Sequence, residues 1–451
     1  MLDMLTYHFI LQSKPKTTPK FSKNNTKLHL ILAFLMHLYN FVTKQMYMVK
    51  IGIIKEGKTP PDERVPFSPE QVKFINSNYP EVKVVVQKSA VRRFKNEDYS
   101  TLDIELVDNV DDCDILMGIK EVPVQELIPN KKYFFFSHTI KKQPYNRKLL
   151  VEMLNKNIAI VDYETLVDAN NFRLIGFGRY AGIVGCYNTF YTYGKRTNSF
   201  DLKRAFLCHD KAEMFNEMAK IKLPTNYKIV ITGGGRVANG IIEILNQLNI
   251  KKVTAEEFLS TTFDQAVYTQ LFPEDYNKRI DNKPFKEAEF FADASGFESN
   301  FMKYAKVADM YLSGHFWAKG SPFIFSKEDA KSPNFNIKVV GDISCDVDGP
   351  VACTIRSTKI SDPIYGYNPI TESEVDYKDP NSITVMAVDN LPCELPKDAS
   401  KDFGRELIDK ILPHIIKDSE QVIERATICK NGDLMPRFEY LRDYVNGEVK
   451  A

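Results

Sequence analysis

A short β-branched run that meets three consecutive glycines constrains this chain more than any other feature. Residues 229–232 form a buried-strand pattern, glycines occupy 233–235, and apolar residues then recur at helical spacing over 237–248. Glycine allows a tight turn close to a pyrophosphate, and a helix N-terminus offers free N–H groups to its charge. Alanine replaces glycine at Ala238, the third position of the usual spacing. The pattern predicts a dinucleotide-binding unit for NAD or NADP, with an ordinary glycine-rich turn as the alternative.

Composition predicts a globular protein of two or three domains and excludes some partners. The 451 residues are 43% hydrophobic and 26% charged, and the net charge is +1, which gives no reason to expect a nucleic-acid partner. The seven cysteines are odd in number and include no C-x-x-C pair. This usage favours reduced thiols in the cytoplasm over a disulfide framework, and it predicts no metal site.

The first 47 residues differ from the rest of the chain. They hold six lysines and only one acidic residue, and the apolar run over 28–42 is shorter than the roughly 20 residues that span a bilayer. A signal segment, a transit segment and a tethering helix are alternatives. Because the globular pattern begins abruptly at Met48, we expect residues 1–47 to be a non-globular head from an upstream start, with no part in the fold and no membrane role.

Strands and helices alternate along the rest of the chain, which predicts an α/β fold with parallel sheets. The first half is expected to hold strands at 49–54, 82–87, 115–120, 132–137 and 158–162, with helices at 69–77 and 147–156. Helices at 182–193 and 211–221 precede the glycine unit; strands at 290–293, 309–314 and 339–343 and an amphipathic helix at 400–416 follow it.

Two residues that can transfer protons each follow a predicted strand. Lys120 ends one strand and His138 follows another, and open α/β sheets place ligands at the carboxyl ends of their strands. The two side chains could therefore share one cleft, although a solvated or structural role is the alternative for each. Glu121 would point to the opposite face from Lys120 unless the strand has already ended.

Eight short motifs, taken in order, resemble a known enzyme family. They resemble saccharopine dehydrogenase (lysine-forming) and the lysine–2-oxoglutarate reductase half of a bifunctional lysine-degrading enzyme, within the alanine dehydrogenase and transhydrogenase superfamily. The resemblance covers about residues 48–443. The motifs are Glu63-Arg-Val-Pro-Phe-Ser-Pro69, Gly118-Ile-Lys-Glu121, Phe136-Ser-His-Thr-Ile-Lys141, Gly176-Phe-Gly-Arg-Tyr-Ala-Gly182, Thr232-Gly-Gly-Gly-Arg-Val-Ala-Asn-Gly240, Ser313-Gly-His-Phe-Trp317, Gly341-Asp-Ile-Ser-Cys-Asp346 and Asp389-Asn-Leu-Pro-Cys-Glu-Leu-Pro396.

The resemblance implies a role for each matching residue. Lys120 would be the general base, and His138 the acid–base group of the imine and carbinolamine steps. A lysine near other cations and partly desolvated loses its proton nearer to neutral pH. Substrate binding is implied for Arg64, Lys141, Glu121, Glu164, Arg173 and Arg179, with Arg64 holding the oxo acid and Glu121 tuning the catalytic pair. Cofactor binding is implied for Gly233, Gly234, Gly235, Arg236, Val237, Gly314 and Asp389.

The family's pattern also implies the domain organisation and the reaction. We expect two Rossmann-like domains flanking a cleft: a substrate domain of residues 48–177 plus 401–451, and a dinucleotide-binding domain of residues 178–400. The expected function is an NAD(P)-dependent oxidoreductase of lysine metabolism that acts on CH–NH groups and interconverts saccharopine with lysine and 2-oxoglutarate. Its partners would be an amino acid and a 2-oxo acid, and the oligomeric state stays open. The residues match one half of the bifunctional enzyme, so only one of its two steps is expected.

Two alternatives remain, and so does the choice of cofactor. The first alternative is alanine dehydrogenase chemistry with pyruvate and ammonia, and the second is a nucleotide-binding sensor whose site has decayed. A carboxylate at the end of the second Rossmann strand would bind the ribose 2′-hydroxyl and select NAD. After the second Rossmann strand the sequence runs Lys251-Lys-Val-Thr-Ala-Glu-Glu257, so Thr254 or Ala255 takes the position and Glu256 follows one or two residues late.

Overall fold

Residues 48–448 are described by a computed structural model, and their first part alternates strands with helices. Ser68 begins the first helix with a capping box, in which its side chain accepts from the backbone of Gln71 and the Gln71 side chain accepts from the backbone of Ser68. The strands are β1 (Val49–Ile53), β2 (Val82–Gln87), β3 (Leu106–Val107), β4 (Ile115–Met117), β5 (Lys132–Phe135) and β6 (Ala159–Asp162); the helices are α1 (Pro69–Asn78), α2 (Asn96–Ser100) and α3 (Arg147–Asn155).

The middle of the chain builds a second layered unit. Its helices are α4 (Gly178–Thr197), α5 (Lys211–Glu217), α6 (Arg236–Gln247), α7 (Ala255–Ser260), α8 (Pro273–Tyr276), α9 (Glu287–Ala292), α10 (Met302–Ala305), α11 (Lys327–Lys331) and α12 (Pro396–Lys410). Its strands are β7 (Lys228–Thr232), β8 (Lys251–Lys252), β9 (Val267–Leu271), β10 (Asn277–Arg279), β11 (Phe297–Ser299), β12 (Met310–Ser313), β13 (Val339–Asp342), β14 (Ile364–Asn368), β15 (Ser373–Val375) and β16 (Ile383–Met386).

The end of the chain returns to the first unit. Strand β17 pairs antiparallel with β6, so residues from both ends of the described chain share one sheet. The remaining elements are α13 (Leu412–Ile416), α14 (Val422–Ala426), β17 (Thr427–Lys430), β18 (Asp433–Leu434) and α15 (Arg442–Asn446). We propose that the two units are the two predicted domains, 48–177 plus 401–451 and 178–400.

Two eight-stranded sheets, each dominated by parallel pairs, form the architecture. The first has the order β18-β17-β6-β5-β4-β1-β2-β3, and the second has the order β15-β14-β16-β13-β12-β7-β9-β8. Antiparallel pairing is confined to β17 and β18 in the first sheet and to β14 and β15 in the second. The predicted α/β class with two Rossmann-like parallel sheets is confirmed.

The second sheet corrects one expectation about strand order. The glycine strand β7 lies between β12 and β9, and on the β9 side Lys228 is opposite Val267 and Thr232 opposite Leu271. Strand β8 pairs only with the far side of β9 and lies at the edge of the sheet. Residues 251–257 therefore do not follow the strand that pairs with β7. After α6 the chain first forms the edge strand β8, and it then returns to form β9 between β8 and β7.

Helices α4 and α6 pack closely enough to fix the glycine turn beside the junction of the two units. A Cβ atom on Gly182 would collide with the carbonyl oxygen of Val237, and one on Gly240 would collide with that of Arg179. Helix α6 buries the face that carries Ala238, Ile241, Ile244 and Leu245, which recur at helical spacing. This contact holds the N-terminus of α6 close to the end of the first domain.

One predicted strand is wrong, and two end early. Residues 290–293 lie at the end of helix α9, where Phe290 packs edge-on against Phe297 at 5.2 Å while Phe291 is exposed. The aromatic pair looked like part of a buried strand, but it covers one side of a peripheral hairpin. Strands β4 and β5 end at Met117 and Phe135, before the predicted 120 and 137.

Two expectations concern the membrane and the first residues. The residues predicted to form a non-globular head, 1–47, lie outside the described residues. Within residues 48–448, none of the helices combines the length and the apolar character needed to cross a bilayer.

Candidate functional site

The glycine turn opens onto a large cavity. The cavity has a volume of about 1100 Å³ and is lined by all three turn glycines, by the loop after β12 and by Phe177 of the first domain. Gly233 has a φ of +104°, and a Cβ atom there would collide with the carbonyl oxygen of Gly314. Only glycine therefore fits at this first position of the turn.

The next two glycines shape the cradle. A Cβ atom on Gly234 would lie 2.8 Å from the ring of Phe272, whereas one on Gly235 would meet no atom within 4 Å. Gly235 is also the N-cap of α6, so the free N–H groups of the first helical turn begin there. Open space in front of a helix N-terminus fits the pyrophosphate of NAD or NADP.

The other predicted cofactor residues surround this cradle in different ways. Gly314 packs against the first turn of α6, where an added Cβ would lie 3.1 Å from the Cα of Ala238. Arg236 and Val237 both line the cavity, but the Arg236 guanidinium donates to the carbonyl oxygen of Leu174 at 2.6 Å and so reaches into the first domain. Asp389 follows β16 and is exposed.

The predicted catalytic residues belong to a cluster on the first domain. Glu121 accepts a hydrogen bond from Lys58 at 2.6 Å, and its other oxygen lies 2.6 Å from Nδ1 of His138. Because β4 has ended at Met117, Glu121 is free to turn toward His138, as the sequence allowed. Burial favours the neutral carboxyl, but the bonds from His138 and Lys58 hold the pKa of Glu121 at about 2.

Lys120 lies beside this cluster in a partly buried position. Burial lowers the pKa of the Lys120 ammonium, and the positive charges of Arg64 and Lys58 lower it further, while Asp62 and Glu121 oppose the shift. The net direction is downward from the ordinary value of lysine. This is the direction that a lysine general base requires.

A buried carboxyl that the sequence did not reveal holds the Lys120 backbone. Glu56 accepts from the backbone N–H of Ile119 at 2.6 Å and of Lys120 at 3.2 Å. Burial, and then the charge of Asp62, raise the pKa of Glu56 to about 8, although the two backbone bonds and Arg64 act against the rise. In the sequence, Glu56 follows a lysine and precedes a glycine, which is typical of a surface turn, so no local signal identified it.

Arg64 is buried and already paired. Its guanidinium makes two hydrogen bonds to Asp62, at 3.0 and 2.6 Å, and lies 4.2 Å from the centre of the Phe177 ring. Burial would raise the pKa of the Asp62 carboxyl, but Arg64 holds it well below its usual range. A third contact, at 3.4 Å, joins Arg64 to Asn390 of the second domain. Sequence reasoning missed Asp62 and Asn390.

A second charged group brings three of the predicted substrate residues together. Glu164 lies 3.5 Å from the Lys141 ammonium and 3.9 Å from the Arg173 guanidinium. Its other carboxylate oxygen is buried and has no hydrogen-bond partner among the described residues. Arg173 also lines the nucleotide cavity and lies over the ring of Phe136 at 5.5 Å. Glu164 and its two cations therefore stand at the border between the domains.

Arg179 is placed apart from these groups. Its guanidinium donates to Glu243 on α6 at 2.7 Å and to Asp402 on α12 at 2.5 Å. The described contacts of Arg179 include no residue of the Lys120 or Glu164 groups. The structure thus divides the other predicted substrate residues between the Lys120 group and the Glu164 group, and it ties Arg179 into the packing of three helices.

Aromatic rings connect the cavity with the catalytic cluster. Phe177 lines the cavity, stacks on Phe403 at 4.4 Å and lies 5.9 Å from Phe136. Phe136 in turn lies 6.4 Å from the ring of His138 in a nearly parallel arrangement. A series of aromatic contacts therefore leads from Phe177 at the cavity through Phe136 to His138.

The chain is similar to a known family and to several known proteins. A family model described as the alanine dehydrogenase/PNT N-terminal domain matches residues 52–184. The chain is 27% identical over 437 residues to an alpha-aminoadipic semialdehyde synthase of Arabidopsis thaliana, covering 87% of this chain and 41% of that protein. It is 26% identical over 430 residues to the mitochondrial alpha-aminoadipic semialdehyde synthase of Bos taurus, covering 84% and 46%. The chain spans less than half the length of these two relatives.

A shorter relative and two solved structures are similar over nearly their whole length. A saccharopine dehydrogenase [NAD(+), L-lysine-forming] of Yarrowia lipolytica is 24% identical over 405 residues, covering 84% of this chain and 95% of that protein. An L-alanine dehydrogenase structure superposes with a TM-score of 0.58 at 13% identity, covering 88% of this chain and all of the other. A transhydrogenase from Sinorhizobium meliloti gives 0.52 at 13%, covering 86% and 98%.

These findings confirm the predicted resemblance to saccharopine dehydrogenases within the alanine dehydrogenase and transhydrogenase superfamily. The names of the relatives are those of dehydrogenases and synthases, and one name includes NAD(+). The chain is thus similar to the enzymes that the sequence predicted, and the two structures confirm the fold. The individual site residues stay predictions.

Proposed function

We propose that this protein is an NAD(P)-dependent oxidoreductase of the saccharopine dehydrogenase type, which interconverts saccharopine with lysine and 2-oxoglutarate. The observation that carries the proposal is the pairing of a glycine-lined cavity with the Lys120–Glu121–His138 cluster. Arg173 and Phe177 line the cavity and also contact residues of the first domain. The relatives' names supply the substrate, and the geometry supplies a place for the nucleotide and for proton transfer.

The reaction requires several proton transfers besides the hydride transfer. In the oxidative direction, a nicotinamide held in the glycine-lined cavity would supply the acceptor for the hydride that leaves the carbon beside the secondary amine. Lys120 takes the amine proton, and its lowered pKa makes the neutral amine form more available for this step. The product of this step is an imine, to which water adds. Cleavage of the C–N bond then yields lysine and 2-oxoglutarate.

His138 is the group that suits the water and carbinolamine steps. Nδ1 of the imidazole faces Glu121, so the neutral ring that donates to this carboxylate leaves Nε2 free to accept a proton. The ionised Glu121 also stabilises the imidazolium that results. Glu121 thus positions the ring and assists both protonation states of His138.

Substrate recognition is assigned to the charged groups at the domain border. Lys141 and Arg173 are cations that suit the carboxylates of a dicarboxylic oxo acid, and Glu164 between them suits the ammonium group of an amino acid. The positive charge of Arg64 is balanced by the carboxylate of Asp62. Arg64 would therefore offer the substrate an oriented N–H donor more than a net positive charge. These assignments place oxo acid and amino acid between the two domains.

The test follows oxidation of NADH and NADPH by the full chain in two substrate mixtures. We expect turnover with 2-oxoglutarate plus lysine and little with pyruvate plus ammonia, and we expect added saccharopine to drive the reverse reaction with the oxidised cofactor. Turnover only with pyruvate and ammonia would instead show alanine dehydrogenase chemistry. Cofactor binding without turnover in either mixture would show a sensor. The cytoplasmic location stays a prediction.

A further inference from the structure

The first sheet carries a smaller cavity at the edge opposite to the catalytic cluster. Strands β4, β5 and β6 are parallel, and Lys120, His138 and Glu164 all follow their carboxyl ends. The smaller cavity instead lies at their amino ends, where the first residue of each strand lines it. Its volume is about 210 Å³. Sites for drug-sized molecules have roughly 300–1,000 Å³, so this cavity suits a smaller ligand.

A lysine interrupts the apolar row that forms one wall of the smaller cavity. Lys132 pairs with Ile115 on one side and with Ala159 on the other, so the three side chains point to the same face of the sheet. Phe134, two residues further along β5, shares that face. Ile115 and Phe134 belong to the same apolar core as Ile423 of α14. A charged side chain at a position that faces a core normally has a partner.

Lys132 lacks such a partner among residues 48–448. Its ammonium makes no hydrogen bond and no ion pair there, although the side chain is half-buried and lines the smaller cavity. Burial, and then the positive charge of Lys430, lower the pKa of Lys132, while Asp418 and Glu424 oppose the shift. Lys430 lines the same cavity. The two ammonium groups therefore suit an anionic group of a ligand, such as a carboxylate.

The helical wall of the smaller cavity supplies a carboxylate that is only partly bonded. Asp418 lies between α13 and α14 and lines the cavity. Its Oδ2 accepts the backbone N–H of Glu424 at 3.0 Å, whereas its Oδ1 is buried without a hydrogen-bond partner in the described part of the chain. Nδ1 of His414 lies 3.8 Å from Oδ1, which is too far for a hydrogen bond. Oδ1 can therefore accept a hydrogen bond from the ammonium group of a ligand.

We propose that the smaller cavity binds a small α-amino acid with an apolar side chain, at a site separate from the substrate cleft. Lys132 and Lys430 would hold the carboxylate of this ligand, and Asp418 would hold its ammonium group. Its apolar side chain would lie against Ile115 and Phe134, which line the same cavity. Binding there is independent of the reaction proposed for the cleft.

Calorimetric titration of L-leucine into the full chain, without cofactor or substrates, tests the site. We expect a Kd of about 1 mM or tighter. 4-Methylpentanoate lacks the ammonium group, and 3-methylbutylamine lacks the carboxylate. Each should bind at least about tenfold more weakly than leucine, because each loses charge-assisted hydrogen bonds. If 4-methylpentanoate binds as tightly as leucine, the cavity is a site for anions only and the amino-acid assignment is wrong.

Two variants locate the bound leucine. Lys132→Met keeps the length of the side chain and removes the ammonium, and Asp418→Asn keeps an oxygen acceptor for the Glu424 N–H and removes the charge. Each should weaken leucine binding at least about tenfold, since a charged hydrogen-bond partner is lost. Thermal unfolding should show that both variants are folded. Lys73→Met is the matched control, because it removes an exposed lysine of α1 outside the cavity, and it should bind leucine normally.

Lys141→Met separates the smaller cavity from the substrate cleft. It removes a cation of the proposed substrate site, so it should weaken leucine binding only if leucine occupies the cleft. Absence of leucine binding to the unaltered chain would overturn the assignment. Loss of binding in Lys141→Met together with normal binding in Lys132→Met would also overturn it. Because these titrations involve no turnover, an inactive enzyme that binds leucine in the smaller cavity would overturn the proposed function alone.

Discussion

At the scale of single residues, the candidate catalytic lysine depends on groups that come from the segment after β1. Lys58, Asp62 and Arg64 all influence the charge of Lys120, and Glu56 holds its backbone. None of these four is adjacent to Lys120 in the sequence. The pKa of Lys120 thus depends on how the loop after β1 packs against the segment after β4. The four-residue motif around Lys120 contains none of these partners.

Replacing Lys120 by methionine tests its role as general base. The change keeps the length of the side chain and removes the amine, so the turnover number should fall by a factor on the order of 10²–10⁴. One limb of the pH–rate profile should disappear, while NADH affinity in calorimetry stays almost unchanged. Lys55→Met, on the exposed side of the same loop, should behave like the unaltered enzyme. Full turnover of Lys120→Met would refute the assignment, and His138→Gln should remove a different limb.

Replacing Glu56 by glutamine tests the buried carboxyl through stability. Since its pKa is raised from 4.5 to about 8, the folded state holds the proton more tightly than the unfolded state. Its contribution to stability is therefore complete below about pH 4.5 and is lost as the pH rises to about 8. In Glu56→Gln the free energy of unfolding should decrease less as the pH rises. The decrease that is lost amounts to at most about 1.4 kcal/mol per unit of pKa shift.

Urea unfolding of both proteins at several pH values measures the difference. Glu81→Gln, which changes an exposed carboxyl, is the matched control and should keep the slope of the unaltered protein. Parallel profiles for Glu56→Gln and the unaltered protein would show that the Glu56 carboxyl is ionised in the folded state throughout this range.

At the scale of elements, the sequence was sufficient where one local pattern determined the structure. The glycine turn between β7 and α6 was predicted because strand, glycines and helical spacing are consecutive. The order of β8 and β9 was not predicted, because the position of a strand in a sheet depends on crossovers that leave no local pattern.

The aromatic pair at 290–291 was assigned to a strand because apolar runs of that length do not distinguish strand from helix. Glu56 was missed because its partners are backbone groups far along the chain.

Replacing Gly235 by valine tests the glycine turn as the pyrophosphate site. A Cβ atom there meets no protein atom within 4 Å, so the fold should be retained, but the branched side chain would occupy the space in front of the helix N-terminus. NADH affinity should fall at least about tenfold, or about 1.4 kcal/mol. Gly296→Val is the matched control, since it too is free of contacts and does not line the cavity. Unchanged calorimetric affinity of Gly235→Val would refute the assignment.

At the scale of the whole molecule, the two sheets are joined through helices that belong to both cores. Helix α12 contributes Ala399 to the core of the second domain and Phe403 and Leu407 to that of the first. The contact between Arg64 and Asn390 and the bond from Arg236 to Leu174 cross the same junction. The position of the cavity relative to the catalytic cluster therefore depends on this junction. Residues that stabilise the junction affect the reaction only by fixing this relative position.

Arg179 is the residue that best separates a structural role at this junction from a substrate role. It pairs with Glu243 on α6 and Asp402 on α12, so we propose that it holds the three helices together instead of binding substrate. Arg179→Met should lower the unfolding free energy by about 1 kcal/mol, since its side chain is 36% exposed and the pairs are partly screened. Arg356→Met is the matched control, because that side chain is also 36% exposed and pairs with Glu374 at a single surface hairpin. We expect the control to cost less stability, because it loses one surface pair and no interhelical contact.

Steady-state kinetics should show the KM for 2-oxoglutarate within about twofold of the unaltered value in both variants, whereas loss of a carboxylate ligand would raise it by about tenfold or more. A large rise in KM for Arg179→Met without a loss of stability would restore the substrate role that the sequence predicted.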